Sequence, residues 1–171
     1  EIVKGHGGFV TIQTEVGKGT EFGVYLPAIE SSSADASEAQ ETKIPEGSGQ
    51  LVLVADDEPL IREITKDSLE RHGYKIVVAN DGIEALSLYL QHKDEVKLVV
   101  LDMIMPYMDG ASTIRALEKL NPDVKFVAVS GSSEKFKAAE AASRKPIRFL
   151  SKPYTTDKLL RTLDEVLNEA A

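Results

Sequence analysis

Cysteine is absent from the 171-residue chain, which removes disulfides, thiol catalysis and thiolate metal sites and fits a reducing, cytoplasmic setting. Any metal would be held by oxygen or imidazole. Positive charge is short as well: 20 basic residues face 28 acidic ones, a net charge of −8. The chain thus lacks the field that non-specific nucleic-acid or anionic-membrane binding needs, and neither nucleic acid nor membrane is expected as a partner. Long apolar runs are missing too. The stretch 98–101 is far short of a membrane span, and the chain opens at Glu1 without a basic, signal-like start. The sequence reads as a soluble piece of a longer protein, with any membrane anchor of that parent lying elsewhere. What is present, 42% hydrophobic and 28% charged residues, suits a compact domain with a tail.

Composition changes over residues 30–49, where Ser, Ala, Glu, Gly and Pro crowd together and Ile44 is the only large apolar side chain. This reads as a flexible linker. Residues 1–50 hold 3 basic and 8 acidic side chains, against 17 and 20 in 51–171, so the excess acidity sits mainly in the head and linker. In the head, residues 8–14 alternate in the manner of a strand, a Gly-rich turn follows at 17–19, and 22–26 reads as a second strand. That predicts a β-hairpin over 1–29, an element that is marginal in water by itself.

From Gln50 on, short runs of Val, Ile and Leu alternate with stretches of helical spacing. The runs at 51–55, 75–79, 97–101, 125–129 and 147–150 predict five strands. Between them, 59–72 and 156–168 place apolar residues at i, i+3, i+4 and predict amphipathic helices. Pro59 near a helix start, Gly73 past its end and Pro122 after Asn121 are the matching punctuation. Strands without alternation are buried on both faces, as in a parallel sheet covered by helices. Residues 50–171 are therefore expected to form an α/β domain with a doubly wound five-stranded parallel sheet.

Function in such sheets gathers beyond the carboxyl ends of the strands. There the sequence places Asp56, Asp57 and Glu58 after the first strand, Asp102 after the third, Ser130 after the fourth, and Ser151 and Lys152 after the fifth. The second strand leads only into Asn80, Asp81 and Gly82, an ordinary turn, and is expected at the sheet edge. Acidic, hydroxyl and cationic groups together are the inventory for binding a hard divalent cation beside a phosphoryl group. Mg²⁺ takes one or two carboxylates and several waters, and Asp57 and Asp102 would supply the pair. Two carboxylates about 6 Å apart repel by roughly 3 kcal/mol at an effective dielectric near 20, which a cation relieves. Lys152 would meet phosphoryl oxygens and Ser130 would donate a neutral hydrogen bond. Each residue has a plainer reading: Asp57 as the cap of the helix opened by Pro59, Ser130 as a turn residue, Lys152 as a solvated loop lysine. Their joint order along the chain argues for the site.

Four segments carry a resemblance. Val54-Ala55-Asp56-Asp57-Glu58, Leu101-Asp102-Met103-Ile104-Met105-Pro106-Tyr107-Met108-Asp109-Gly110, Val129-Ser130-Gly131 and Phe149-Leu150-Ser151-Lys152-Pro153 resemble the receiver domain of two-component response regulators, from about Leu51 to the C-terminus. The resemblance implies a flavodoxin-like sheet of order 2-1-3-4-5. It implies Asp102 as phosphoacceptor and Lys152 as phosphoryl-binding cation. Asp56, Asp57 and Asp102 would ligate Mg²⁺, with Mn²⁺ as a substitute, and the Ile104 backbone carbonyl would join them. Ser130 and Phe149 would form a hydroxyl and aromatic switch pair. Implied partners are a histidine kinase or histidine phosphotransfer domain as donor, and a second receiver in a homodimer. One departure is the stretch Ser143-Arg144-Lys145-Pro146-Ile147, which stands where the family commonly has a small Gly-Ala turn.

The head carries a different likeness. Ile2-Val3-Lys4-Gly5-His6-Gly7-Gly8, with Gly17-Lys18-Gly19-Thr20-Glu21-Phe22 and Leu26-Pro27, resembles the last part of the ATP-binding domain of a sensor histidine kinase. The Asp-x-Gly-x-Gly nucleotide box is missing, so no ATP site is expected, and His6, before a strand, is not expected to carry phosphate. His72 and His92 read as helix-end residues. Together the likenesses imply the C-terminal end of a hybrid histidine kinase whose catalysis, within this chain, is confined to its own aspartyl phosphorylation and dephosphorylation. Two other functions stay open: an Asp-nucleophile phosphohydrolase, disfavoured because its nucleophile follows the first strand as Asp-x-Asp, and an unphosphorylated interaction module.

Overall fold

A computed structural model of the protein describes residues 2–5, 7–28 and 44–169. Most of the segment read as linker, and His6, lie outside them. The chain divides into two compact units, Glu1–Thr42 and Lys43–Ala171.

In the first unit a single helical turn, α1 (Ile2–Gly5), precedes the antiparallel strands β1 (Phe9–Glu15) and β2 (Gly19–Tyr25). The turn depends on Gly17 and Gly19, whose φ angles of 79° and 104° suit glycine and strain other residues. Phe9 and Tyr25 pair at the open end of the ladder and stack with ring centroids 4.7 Å apart. The hairpin buries none of its large apolar side chains: Phe9, Val10, Ile12, Phe22, Val24 and Tyr25 are all exposed.

The second unit is built on β3 (Leu51–Ala55), β4 (Lys75–Ala79), β5 (Val96–Asp102), β6 (Lys125–Ser130) and β7 (Arg148–Ser151), all parallel, in the order β4-β3-β5-β6-β7. Counted from Leu51 this is the 2-1-3-4-5 order, with β4 at the edge as expected. Helices α2 (Pro59–Arg71), α3 (Gly82–Gln91), α4 (Gly110–Leu120), α5 (Ser133–Ala142) and α6 (Thr156–Asn168) connect and cover it. Strand alternation splits the core in two. Leu53, Ala55, Val99 and Leu101 face Ala85, Tyr89, Ile114 and Leu117 from α3 and α4, whereas Val52, Val54, Leu98 and Val100 face Leu69, Leu159, Leu160 and Leu163 from α2 and α6. This is why the strands read as unbroken apolar runs: both faces are dry.

The ladders run one residue further than the apolar pattern shows. Asp102 pairs with Val129 and Ser130 with Ser151, so Asp102, Ser130 and Ser151 end their strands rather than follow them. Residues 44–49, the last part of the segment read as linker, hydrogen-bond to the turn after α2: Gly47 N–H donates to His72 O at 2.7 Å and Gly49 N–H to Gly73 O at 2.8 Å. No helix among the described residues is long and apolar enough to cross a membrane.

Candidate functional site

The parallel sheet aims its strand ends at one place, and the topology sets which ends are neighbours. β3 and β5 lie side by side at the centre, so the residues that leave them share a small volume. One carboxylate oxygen from each of Asp56, Asp57 and Asp102 lies within 4.8 Å of the others. Asp56 and Asp102 are buried, at 5% and 6% exposure, while Asp57 is exposed at the mouth.

Asp57 does not cap α2. The N-cap is Glu58, without a side-chain cap bond, and it is Asp56 Oδ1 that accepts the Glu58 N–H, at 2.9 Å. The Asp57 carboxylate is therefore spared from the local task that the plainer reading gave it. By contrast Asp81 and Asp109 do cap helices, Asp81 accepting from Ile83 and Glu84 N–H and Asp109 from Ser112 N–H.

Lys152 enters from β7 across the sheet end. Its Nζ lies 2.6 Å from Asp102 Oδ2 and 2.8 Å from Asp56 Oδ2, and its backbone N–H donates to Ser130 O at 3.0 Å. Asp102 Oδ1 accepts the Ile104 N–H at 3.0 Å. Both oxygens of Asp102 are thus oriented by donors from its own loop and from β7. Burial alone would lower the lysine pKa, but the hydrogen bonds and charges of Asp102 and Asp56 outweigh it and hold Lys152 above the usual lysine range. Burial pushes the Asp102 carboxyl up, against the lowering by Lys152 and the Ile104 N–H, with the Asp56 charge adding to the rise.

Of the other residues picked out in the sequence, Ser130 is almost fully buried at the end of β6, and its Oγ accepts the Ser132 N–H at 3.2 Å. Phe149 is half-buried and packs against the core on the α3–α4 side. Ser151 is exposed, and its hydroxyl donates to the neighbouring Lys152 carbonyl at 3.4 Å. The structure adds Arg62, which the sequence reading passed over: its Nη1 donates to the Asp56 backbone carbonyl at 2.6 Å. A signal for it existed. Arg62 stands at the start of a helix whose first turn holds no acid, where the positive end of the dipole disfavours a cation.

Three hard carboxylate donors, a clamped ammonium and a buried hydroxyl make an anionic cup suited to a hard divalent cation next to a phosphoryl group. The profile of the response regulator receiver domain matches residues 52–164. Sensor kinase CckA of Brucella abortus (strain 2308) is 38% identical over 175 residues, covering 98% of this chain and 18% of its own length. Sensor histidine kinase RcsC of Escherichia coli (strain K12) is 30% identical, covering 82% of this chain and 15% of its own. The chain therefore spans less than a fifth of either relative. Among solved structures, the response regulator TrrA of Thermotoga maritima, in complex with Mg²⁺ and beryllium fluoride, superposes with a TM-score of 0.61. It is 29% identical and covers 68% of this chain and 98% of its own. By profile, by sequence and by fold, the chain belongs to the response regulator receiver domain family and is a receiver of two-component phosphorelay signalling.

Proposed function

We propose that Asp102 is the phosphoacceptor of this receiver and that Asp56, Asp57 and Asp102, with the Ile104 backbone carbonyl, hold Mg²⁺, Mn²⁺ being a substitute of the same hard character. The observation that carries the reading is the position of Lys152, whose ammonium bridges Asp102 and Asp56 at 2.6 and 2.8 Å. A cation that spans the acceptor and a metal-binding carboxylate is already where phosphoryl oxygens would arrive. The TrrA complex with Mg²⁺ and beryllium fluoride supports the same use of the fold.

In the step itself a carboxylate oxygen of Asp102 attacks phosphorus. A P–O bond forms, the P–N bond of the donor phosphohistidine breaks, and the imidazole leaves with the electron pair and takes up a proton. Bound Mg²⁺ supplies charge neutralisation for the phosphoryl oxygens. The chain's own contribution is positioning. Ile104 N–H and Lys152 fix the acceptor carboxylate, burial excludes competing water, and Lys152 can pass from carboxylate to phosphoryl oxygen without leaving the cup. The phosphoryl group, which carries about −1.5 to −2 where the carboxylate carried −1, then draws the Ser130 hydroxyl, and Phe149 follows into the space behind it.

The donor is a histidine kinase or histidine phosphotransfer domain. A groove of about 480 Å³ between α2 and α6, lined by Ile61, Ile64, Pro153 and Tyr154, ends at Lys152 and leaves room for the donor's apolar flank. The similarity to CckA extends over 98% of the chain, head included, which supports reading residues 1–29 as the end of a kinase ATP-binding domain in a hybrid histidine kinase. Exposure to a small acyl phosphate with Mg²⁺ should raise the intact mass by one phosphoryl group, and Asp102→Asn should abolish the gain. Labelling that survives this substitution overturns the assignment.

A further inference from the structure

Asp56 is fixed at each polar atom. Its N–H donates to Ala79 O at 3.3 Å, Oδ1 accepts from Glu58 N–H at 2.9 Å, Oδ2 from Lys152 at 2.8 Å, and the carbonyl oxygen from Arg62 Nη1 at 2.6 Å. These contacts differ in kind. The first two are made by the backbone of the sheet and turn, and the third by an ammonium that must be free to shift to a phosphoryl oxygen. The contact from Arg62 joins the turn to the body of α2 through a side chain. It acts on the carbonyl of the peptide that leads directly into Asp57, the exposed member of the acidic trio.

We propose that Arg62 is a positioning residue for the acidic cup. By holding the Asp56 carbonyl it sets the plane of the Asp56–Asp57 peptide, and so keeps the Asp57 carboxylate within reach of those of Asp56 and Asp102. The inference rests on the reading of that trio as a Mg²⁺ site. Mg²⁺ demands near-ideal octahedral geometry and tolerates little displacement of its oxygen donors, so a turn that can rock costs affinity. The guanidinium suits the task because it is planar, always charged and presents several donors in a fixed fork, whereas an ammonium is a point charge on a flexible stem.

The arrangement yields a test in which charge and geometry predict opposite signs. Arg62 is a cation near a site for a dication. If it acted by charge alone, its removal would tighten Mg²⁺ binding. If it acts by position, its removal loosens binding by about tenfold, the size expected when a group that orients metal ligands is lost. Magnesium alone is the probe, titrated calorimetrically into the full chain without phosphodonor.

Arg62→Met should weaken Mg²⁺ binding about tenfold, Arg62→Gln should do likewise, and Arg62→Lys, which restores charge and one donor, should fall between these and the parent. Far-ultraviolet circular dichroism checks that each variant is folded, and having two neutral variants keeps the result decisive should one fail. If both neutral variants bind Mg²⁺ as tightly as the parent or more tightly, the positioning role is overturned while the metal site stands. If the parent chain itself shows no Mg²⁺ binding, the reading of the trio falls and this inference with it.

Discussion

Lys152 faces two requirements that pull apart. Without a bound cation it is the counter-ion of two buried carboxylates, and in the proposed phosphotransfer it would have to release them. Lys152→Met should therefore lower stability at pH 7 by about 3 kcal/mol, the low end of the cost of leaving buried charge unpaired, because the lysine side chain keeps 25% exposure. The pH dependence has a definite sign. With the ammonium gone, the burial and the Asp56 charge that push the Asp102 carboxyl up act without the opposing pull of the lysine, so its folded pKa stands further above the unfolded one and the folded state takes up a proton that the unfolded state does not. The variant's urea midpoint should rise between pH 7 and pH 5 by more than that of the parent, and a midpoint indifferent to pH would count against the like-charge argument. Asp109 behaves in the opposite way. Its bonds from Ser112 hold the carboxyl below the usual range, so its cap on α4 stabilises above an ordinary carboxylate pKa and is lost as pH falls through the lower folded value. Asp109→Ala should cost about 1 kcal/mol at pH 7 and progressively less as pH falls through the folded value of the carboxyl, read from denaturation across an acid pH series.

At the scale of elements, what was legible in the sequence is what is local or periodic. The five strands show as apolar runs because both sheet faces are dry, and α6 shows because Leu159, Leu160, Leu163 and Val166 share one buried stripe. The clustering at strand ends was legible because a parallel sheet converts chain order into adjacency. Contacts between side chains and distant backbone were not: nothing in the spacing of Arg62 says that it reaches the Asp56 carbonyl. The stretch Ser143-Arg144-Lys145-Pro146-Ile147 is the clearest case. It stood out as a departure, but its reason lies on α4. Glu118, buried at 5% exposure, accepts from the Ser143 hydroxyl and, through both oxygens at 3.1 Å, from the Arg144 N–H. Lys145 pairs with Asp123 at 2.6 Å. One buried carboxylate thus fastens the connection between α5 and β7 to α4. Glu118→Ala leaves the Ser143 and Arg144 donors without their acceptor and should cost about 2–3 kcal/mol. Hydrogen exchange at the Arg144 amide should speed up accordingly, and unchanged protection there would show that the fastening is not needed.

For the molecule as a whole, the question is where the receiver unit begins, since its first strand starts at Leu51 but its hydrogen bonds start earlier. Gly47 and Gly49 donate to His72 O and Gly73 O, and the Gly47 backbone lies so close to the Tyr74 ring that an added Cβ would stand 2.8 Å from it. Tyr74 is 4% exposed, and burial first, then the charge of Asp164, raises its phenol pKa. The segment 44–49 therefore works as a cover for the turn between α2 and β4, although its composition reads as linker. A chain starting at Ile44 retains these contacts. A chain starting at Gln50 loses two hydrogen bonds, each worth about 1 kcal/mol net, and opens one side of an aromatic ring to water. The shorter chain should be less stable by about 2–3 kcal/mol in urea denaturation, with the slope of the transition little changed. Equal midpoints in the two chains would mean that the fold is complete from Leu51 and that residues 44–49 only rest against it.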